Sequence, residues 1–301
     1  MELFYSQVIW DVSPQITASL PIRWYGLFFA ISFMLGITLV AWQFKKEKVS
    51  VERIDNLLVF MVVCTMLGAR LGECLFYHPA YYLQHPLEIV QIWKGGLASH
   101  GGVIGILVGL YFYRRLFLKE KSYLWLVDRL CIPNLLGASI VRLGNLMNSE
   151  IIGKTTDAPW GFIFRGPNQL RLDITIGEAY SKGVTLNDQD KLAILNEVRH
   201  PSQLYESITY FTIFLIFVII YKKYYKVLPE GFLFGLTFVC VFTARFFLEF
   251  FKDSSTLAEY AQGSLSTGQL LSIPAVILGI ALMVYSLKKN KKMEPPVEPE
   301  A

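Results

Sequence analysis

The sequence predicts an all-α polytopic membrane protein, with seven transmembrane helices and a small extracytoplasmic head domain. Three observations lead there. Charged residues make up 17% of the 301-residue chain, hydrophobic residues 53%, and mean hydropathy is +0.42; a soluble domain carries about 25% charge. Apolar runs recur at the length that a helix needs to cross a bilayer, roughly 17–25 residues. Basic residues gather in every second connection between those runs.

The runs can be taken in order. Residues 24–44 contain no charge, and 56–77 are apolar apart from Arg70 and Glu73. The others cover 96–113, 130–147, 203–221, 232–251 and 267–287. The first run follows a polar stretch, lacks a basic leader and exceeds a signal-peptide core, so it is expected to be a span. Lys45, Lys46, Lys48 and Arg53 follow the first run; Arg114, Arg115, Lys119 and Lys121 follow the third. Lys222, Lys223 and Lys226 follow the fifth, and Lys288, Lys289, Lys291 and Lys292 the seventh. The intervening connections 1–22, 78–95 and 253–266 hold one lysine between them, Lys94. Short basic loops stay in the cytoplasm. The N-terminus is therefore expected outside and the C-terminus inside, and the alternation requires an odd number of spans.

This organisation gives an extracytoplasmic segment over 1–22 and a seven-helix membrane domain over 23–287. A head insertion over 148–200 lies within that domain, and a charged, Pro-rich tail over 288–301 is expected to be disordered. Within the insertion, 169–176 reads as a short β-like run and 187–198 as a polar helical stretch. The net charge of +4 reports loop topology, and no nucleic-acid partner is expected. Cys64, Cys74, Cys131 and Cys240 lie in or beside apolar runs and read as small buried hydrophobes. Their spacing suggests neither a disulfide nor a metal site. Gly68 with Gly72, and Gly101, Gly105 and Gly109, fall four apart, the spacing that lets helices approach closely.

Ionisable residues within spans are costly and mark function or internal pairing. Here they share a depth. Arg23 and Tyr25, Arg70 and Glu73, His100, Arg142 with Asn145, Asn148 and Glu150, Gln203 with Tyr205 and Glu206, and Arg245 with Glu249 all fall toward the outer ends of their spans. The inner halves are apolar except at Asp128 and Arg129. Arg70–Glu73 and Arg245–Glu249 have the spacing of internal ion pairs. Arg142 has no carboxylate on its own helix face within one turn, which makes it the best candidate for an external anion such as a phospholipid head group. Ser99-His100-Gly101-Gly102 sets two glycines beside an imidazole and leaves room for a substrate; a satisfied core histidine is the competing reading. A transporter would need polar residues through the full membrane depth. A seven-helix receptor would share the topology but has no use for several arginines in one leaflet.

The run Arg142-Leu-Gly-Asn145-Leu-Met-Asn148-Ser-Glu150-Ile-Ile-Gly153 resembles the signature of prolipoprotein diacylglyceryl transferases. Arg23-Trp-Tyr25-Gly26, Ser99-His100-Gly101-Gly102, His200-Pro-Ser-Gln203-Leu-Tyr205-Glu206 and Arg245-Phe-Phe-Leu-Glu249-Phe250 resemble the same family, in order, over about residues 20–285. Glycine is usual at Val141, common at Ser149, and arginine common at Lys252. The resemblance implies a bacterial plasma-membrane transferase acting on phosphatidylglycerol and on the lipobox cysteine of prolipoprotein signal peptides, without cofactor or metal. It implies Arg142, Asn145, Glu150, Gly153 and Glu249 as substrate-binding residues, and His100, Arg245 and Tyr25 as catalytic ones. Among these, His100 is the candidate base and Arg245 the stabiliser of the leaving group.

Overall fold

The structure is a computed structural model and describes residues 7–17, 20–91, 96, 98–181, 185–253 and 265–290. It is predominantly helical. Six helical stretches are long and apolar enough to cross a membrane: Trp24–Lys46, Val51–Tyr77, Tyr123–Met147, Ser202–Tyr224, Phe232–Phe251 and Thr267–Lys289. The helices are α1 (Trp24–Lys46), α2 (Ile54–Gly72), α3 (Pro79–Gln84), α4 (Ser99–Phe117), α5 (Tyr123–Met147), α6 (Arg165–Ser181), α7 (Asp188–Leu195), α8 (Ser202–Tyr224), α9 (Phe232–Leu248) and α10 (Thr267–Asn290). The predicted third span forms as the 19-residue α4, which is not among the six. His100 at its start and Arg114–Arg115 in its last turn lower its apolarity. The chain divides into two compact units, one of residues Met1–Gly36, Asn134–Val227 and Gly235–Val284, the other of Ile37–Pro133, Leu228–Phe234 and Tyr285–Ala301.

The second unit is built on α2 and α4. A Cβ on Gly68 would collide with the Gly101 carbonyl and lie 2.7 Å from Gly105 Cα; one on Gly72 would lie 2.7 Å from Gly101 Cα. The glycine spacing read in the sequence is thus a seam where two backbones touch. Around it, Phe44, Leu57, Leu110, Tyr113, Trp125 and Leu126 form an apolar core. Asp128 and Arg129, the exceptions in the apolar inner halves, are structural. Asp128 accepts the amides of Gly231 (2.7 Å) and Phe234 (2.8 Å), satisfying donors that the first turn of α9 leaves open. Arg129 makes a two-pronged bond to Glu47, 2.8 Å at each prong, and Trp125 Nε1 donates to the same carboxylate at 2.8 Å.

Arg70 is buried, and it donates to the carbonyls of Glu88 (2.5 Å), Ile89 (3.0 Å) and Gly96 (3.2 Å). The Glu73 carboxylate meets His78 Nδ1 at 2.9 Å. The side chain expected to pair with Glu73 therefore also anchors the connection between α2 and α4. A guanidinium can do this because it carries five donors in a fixed fork.

The first unit contains the strands. β1 (Val8–Trp10) pairs in parallel with β4 (Phe162–Phe164), which pairs antiparallel with β5 (Val198–Arg199). A hairpin of β2 (Gln15–Thr17) and β3 (Leu20–Arg23) leads into α1. Residues 169–176, expected to be β-like, lie instead in α6. The alternation of Leu170, Leu172, Ile174 and Ile176 suggested a strand, yet among these only Leu172 is buried. Local bonds of helical span, Gln169 to Asp173 and Thr175 Oγ1 to the Arg171 carbonyl, hold the helix, and Asn168 ties it to the carbonyls of Leu195 and Glu197. The predicted polar helix forms as α7, with Asn187 accepting the Asp190 amide as its N-cap. On α8, Gln203, Glu206, Ser207, Tyr210, Ile213, Phe214, Phe217 and Tyr221 form one buried stripe at helical spacing. Ser207 and Ser139 of α5 exchange hydroxyl-to-carbonyl bonds, 2.9 Å each way.

After α5, the chain turns through two left-handed residues, Ser149 (φ 53°) and Ile151 (φ 59°). A side chain there costs of order 1–2 kcal/mol. This gives a physical reason for the glycine common at position 149 in the resembling family. The turn is held by α8, where Ser202 Oγ donates to the Ile151 carbonyl (2.6 Å) and Gln203 Nε2 to that of Glu150 (2.5 Å). Ser149→Gly is expected to stabilise the protein by about 0.5–1 kcal/mol, since relief of the steric term exceeds the entropy cost of glycine. A raised thermal midpoint in detergent would bear this out; a lowered one would not.

Candidate functional site

The site grows from the C-terminal turns of α5, in the first unit. Arg142 and Asn145 share a face, and Arg142 Nη1 donates to Asn145 Oδ1 at 3.2 Å. Asn145 Nδ2 donates onward to Glu150 Oε2 (3.3 Å), and Asn148 Nδ2 to Glu150 Oε1 (3.0 Å). Both oxygens of Glu150 are thereby oriented by the strained turn that carries it.

Glu206, fully buried on α8, lies with its Oε2 2.8 Å from Arg142 Nε and its Oε1 2.7 Å from Lys252 Nζ. Lys252 Nζ is also 3.6 Å from Glu249 Oε2. One turn beyond Glu206, the buried Tyr210 lies near Arg142, in the fields of Glu206 and Arg245. Arg142 thus has a carboxylate partner after all, from α8 rather than from its own helix. Glu249, expected opposite Arg245, faces Lys252. A Cβ on Gly268 would come 2.6 Å from Glu249 Oε1, so a larger residue at the start of α10 would make that carboxylate shift.

Beside this network lies a cleft of about 600 Å³ lined by Ile22, Arg23, Tyr25, Gly26, Asn148 and Glu150. The Tyr25 ring rests against Gly144 of α5, where a Cβ would lie 3.2 Å from its Cδ2. Glu150 belongs to both cleft and network and joins them. Gly153 is not in the cleft lining. Its amide donates to the His200 carbonyl (2.9 Å), Lys154 donates to the Phe251 carbonyl (2.9 Å), and His200 to the Lys154 carbonyl (2.9 Å). Gly153 also bridges Lys252 in antiparallel register. The buried Arg199 fastens this crossing, donating to the Gly153 carbonyl (3.0 Å), Asp253 (2.6 Å) and Glu197 (2.7 Å).

His200 also packs edge-on against Phe251 and Tyr205. Trp160 Nε1 can only donate, and it gives its hydrogen to Tyr205 Oη (2.8 Å), leaving the phenol hydrogen for His200 Nδ1 (3.0 Å). Burial lowers the His200 pKa below its ordinary value. The folded state thus disfavours the protonated ring. His200 contributes stability that is fully present above its unfolded pKa of about 6.5 and is lost as pH falls from there toward the folded value. We expect the thermal midpoint to drop below about pH 6.5, and more steeply in the wild type than in His200→Gln, by parallel melting at pH 5–8. Equal slopes would remove His200 from that dependence.

Of the residues read from the sequence, Tyr25, Arg142, Asn145, Glu150 and Glu249 meet in this unit, with Arg245 in the same field. His100 opens α4 in the other unit, and its side chain lies outside the described residues. Sequence reasoning passed over Glu206, Lys252 and Arg199 as site residues. Glu206 had a signal, a carboxylate at the outer end of a span. Lys252 stood out only as a departure from the family pattern. Arg199, inside a polar insertion, had none.

A family model described as "Prolipoprotein diacylglyceryl transferase" matches residues 12–285. Among curated relatives, the phosphatidylglycerol–prolipoprotein diacylglyceryl transferase of Chloroherpeton thalassium is 46% identical over 287 residues, covering 94% of this chain and 96% of its own. The protein of that name from Tolumonas auensis is 41% identical over 288 residues, covering 95% and 100%, and that from Bacteroides fragilis 38% over 296, covering 93% and 96%.

Proposed function

This chain belongs to the prolipoprotein diacylglyceryl transferase family, and from that premise we propose that it moves the diacylglyceryl group of phosphatidylglycerol onto the lipobox cysteine of prolipoprotein signal peptides. This is the first step of bacterial lipoprotein maturation. The protein is a multi-pass membrane transferase of a bacterium; in this reading it sits in the plasma membrane. We place its N-terminus outside and its C-terminus in the cytoplasm, by the distribution of lysine and arginine among the short connections. That alternation makes α4 the third of seven crossings, beside the six longer apolar helices, and puts 148–200 on the outer face as a head.

The reaction forms a carbon–sulfur bond and breaks the ester bond between the glycerol carbon and the phosphate oxygen. The thiol, with a reference pKa of about 8.5, must first lose its proton, and His100 is our candidate to take it. The thiolate then attacks the carbon that bears the phosphate ester. The electron pair leaves with the phosphate, and glycerol phosphate is released. Arg142 would bind the phosphate and Arg245 would meet the charge that gathers on the departing oxygen; such donors act most strongly where water is scarce. Tyr25, Asn145, Glu150 and Glu249 would shape the head-group site.

The observation that carries this reading is the fixed orientation of Arg142, by Glu206 and Asn145, and its link through Asn145 to Glu150 of the open cleft. The test is incubation of purified protein with head-group-labelled and acyl-labelled phosphatidylglycerol and a lipobox peptide. Acyl label should appear on the peptide, head-group label in glycerol phosphate, and a Cys-to-Ser peptide should receive neither. Failure of folded protein to transfer label would overturn the assignment. In the same assay His100→Gln should slow turnover by about 10²–10⁴-fold if the ring is the base; near-normal turnover would leave electrostatics alone as the driver.

A further inference from the structure

Glu206 is fully buried and has a cation on each side, Arg142 Nε at 2.8 Å and Lys252 Nζ at 2.7 Å. Two cations compete for one carboxylate, and what Lys252 draws from Glu206 is left uncancelled on Arg142. We propose that Lys252 is a positioning residue that tunes the positive field offered to the substrate phosphate, by sharing Glu206 with Arg142. This rests on the reading above, in which Arg142 receives the phosphodiester of phosphatidylglycerol.

The charges can be counted. Arg142 and Lys252 contact Glu206, Lys252 also lies near Glu249, and Arg245 acts on the same Tyr210 as Arg142 and Glu206, so three cations and two carboxylates leave one positive charge in this group. Glu150 is solvent-exposed, and water screens it. Removing the Lys252 charge brings the group to neutrality and gives Glu206 wholly to Arg142. Removing the Glu206 charge raises the excess to two. Removing both restores one. A scaffolding role for the pair predicts something else, namely that either single change harms binding and that the two together harm it more.

Lys252 is joined to the rest of the site through its own backbone. The bridge to Gly153 and the bond from Lys154 to the Phe251 carbonyl place its Cα. The ammonium therefore reaches Glu206 from a fixed base. An arginine at this position would carry the same charge, so the lysine keeps the balance that the family's commoner residue would supply.

The experiment is steady-state transfer to a lipobox peptide at varied phosphatidylglycerol, using the full chain in detergent–lipid micelles. K252M should raise KM for phosphatidylglycerol by about tenfold, the order expected for one charge acting at close range in a poorly screened site. E206Q should lower KM, because it leaves the charge of Arg142 uncancelled. E206Q/K252M should return KM to within about threefold of wild type. K252R should recover the KM lost in K252M. Opposite signs for the two single variants, with recovery in the double, support the proposal. A rise in KM for both single variants, or no change in K252M, overturns it. Should K252M fail to fold, E206Q against E206Q/K252M still decides: a lowered KM restored by the second change supports the proposal, and equal KM values overturn it. A wild type that transfers no label sinks the functional reading instead. The charge chain is then tested by melting alone, where non-additive midpoints for E206Q and K252M support it and additive ones overturn it.

Discussion

Arg142→Ala is expected to lower the rate of diacylglyceryl transfer by about 10²–10³-fold, the loss seen when one preorganised donor to a developing anion is removed. The same change is expected to cost stability. Glu206 would keep Lys252 but lose the 2.8 Å contact to Arg142 Nε, and Asn145 Oδ1 would lose its donor. Breaking a buried ion pair costs about 3–5 kcal/mol when the remaining charge is left unpaired, and Lys252, 2.7 Å from Glu206, offsets part of that loss here. Arg142→Lys separates the two effects. An ammonium can meet Glu206, so much of the stability should return. It cannot reach both Glu206 and Asn145 with the fixed planar fork of a guanidinium, so activity should stay low. Measuring melting midpoint and transfer rate for both variants checks this. Arg142→Ala with near wild-type turnover would mean that the phosphate sits elsewhere.

Gly153→Ala is expected to be severely damaging although it removes no charge. A Cβ there would lie 2.5 Å from the His200 carbonyl oxygen, 2.6 Å from His200 Cβ and 2.6 Å from the Phe251 carbonyl oxygen. Two of these neighbours are backbone and the third begins a side chain, so none can swing away. The crossing must open, and Lys252 moves with Phe251. Overpacking of this kind costs about 1–3 kcal/mol in stability. A displacement of about 1 Å in a positioning group can cost as much as 10²-fold in rate. Gly153→Ala should therefore show both a lowered midpoint and a rate loss that persists well below that midpoint. A wild-type rate in the folded variant would show that the crossing does not position the site.

The two predictions draw on residues of different legibility. Arg142 stands out in sequence because an arginine inside an apolar run is costly and needs a reason. The spacing to Asn145 puts both on one face, and the signature run names Gly153. The helices declare themselves in the same way, since length and apolarity are local properties. The glycine seam between α2 and α4 was readable from four-residue spacing, and the clash distances at Gly68 and Gly72 bear it out. The strand-like alternation at 169–176 was misleading because period-two hydrophobicity signals a strand only when one face is buried. Here the neighbouring residues stay exposed, and hydrogen bonds of helical span take over.

By itself, then, the sequence determined a helical membrane protein of the diacylglyceryl transferase family, and singled out the polar residues within its apolar runs. These follow from the cost of placing charge and unpaired backbone in hydrocarbon, which any span must meet residue by residue. Only the tertiary structure decided who partners whom: Glu206 between Arg142 and Lys252, Arg70 on carbonyls, and Asp128 on the first turn of α9. Those pairings join residues 18 to 106 positions apart. An electrostatic contact depends on distance in space, and along the chain nothing marks which helices will bring two charges within 3 Å.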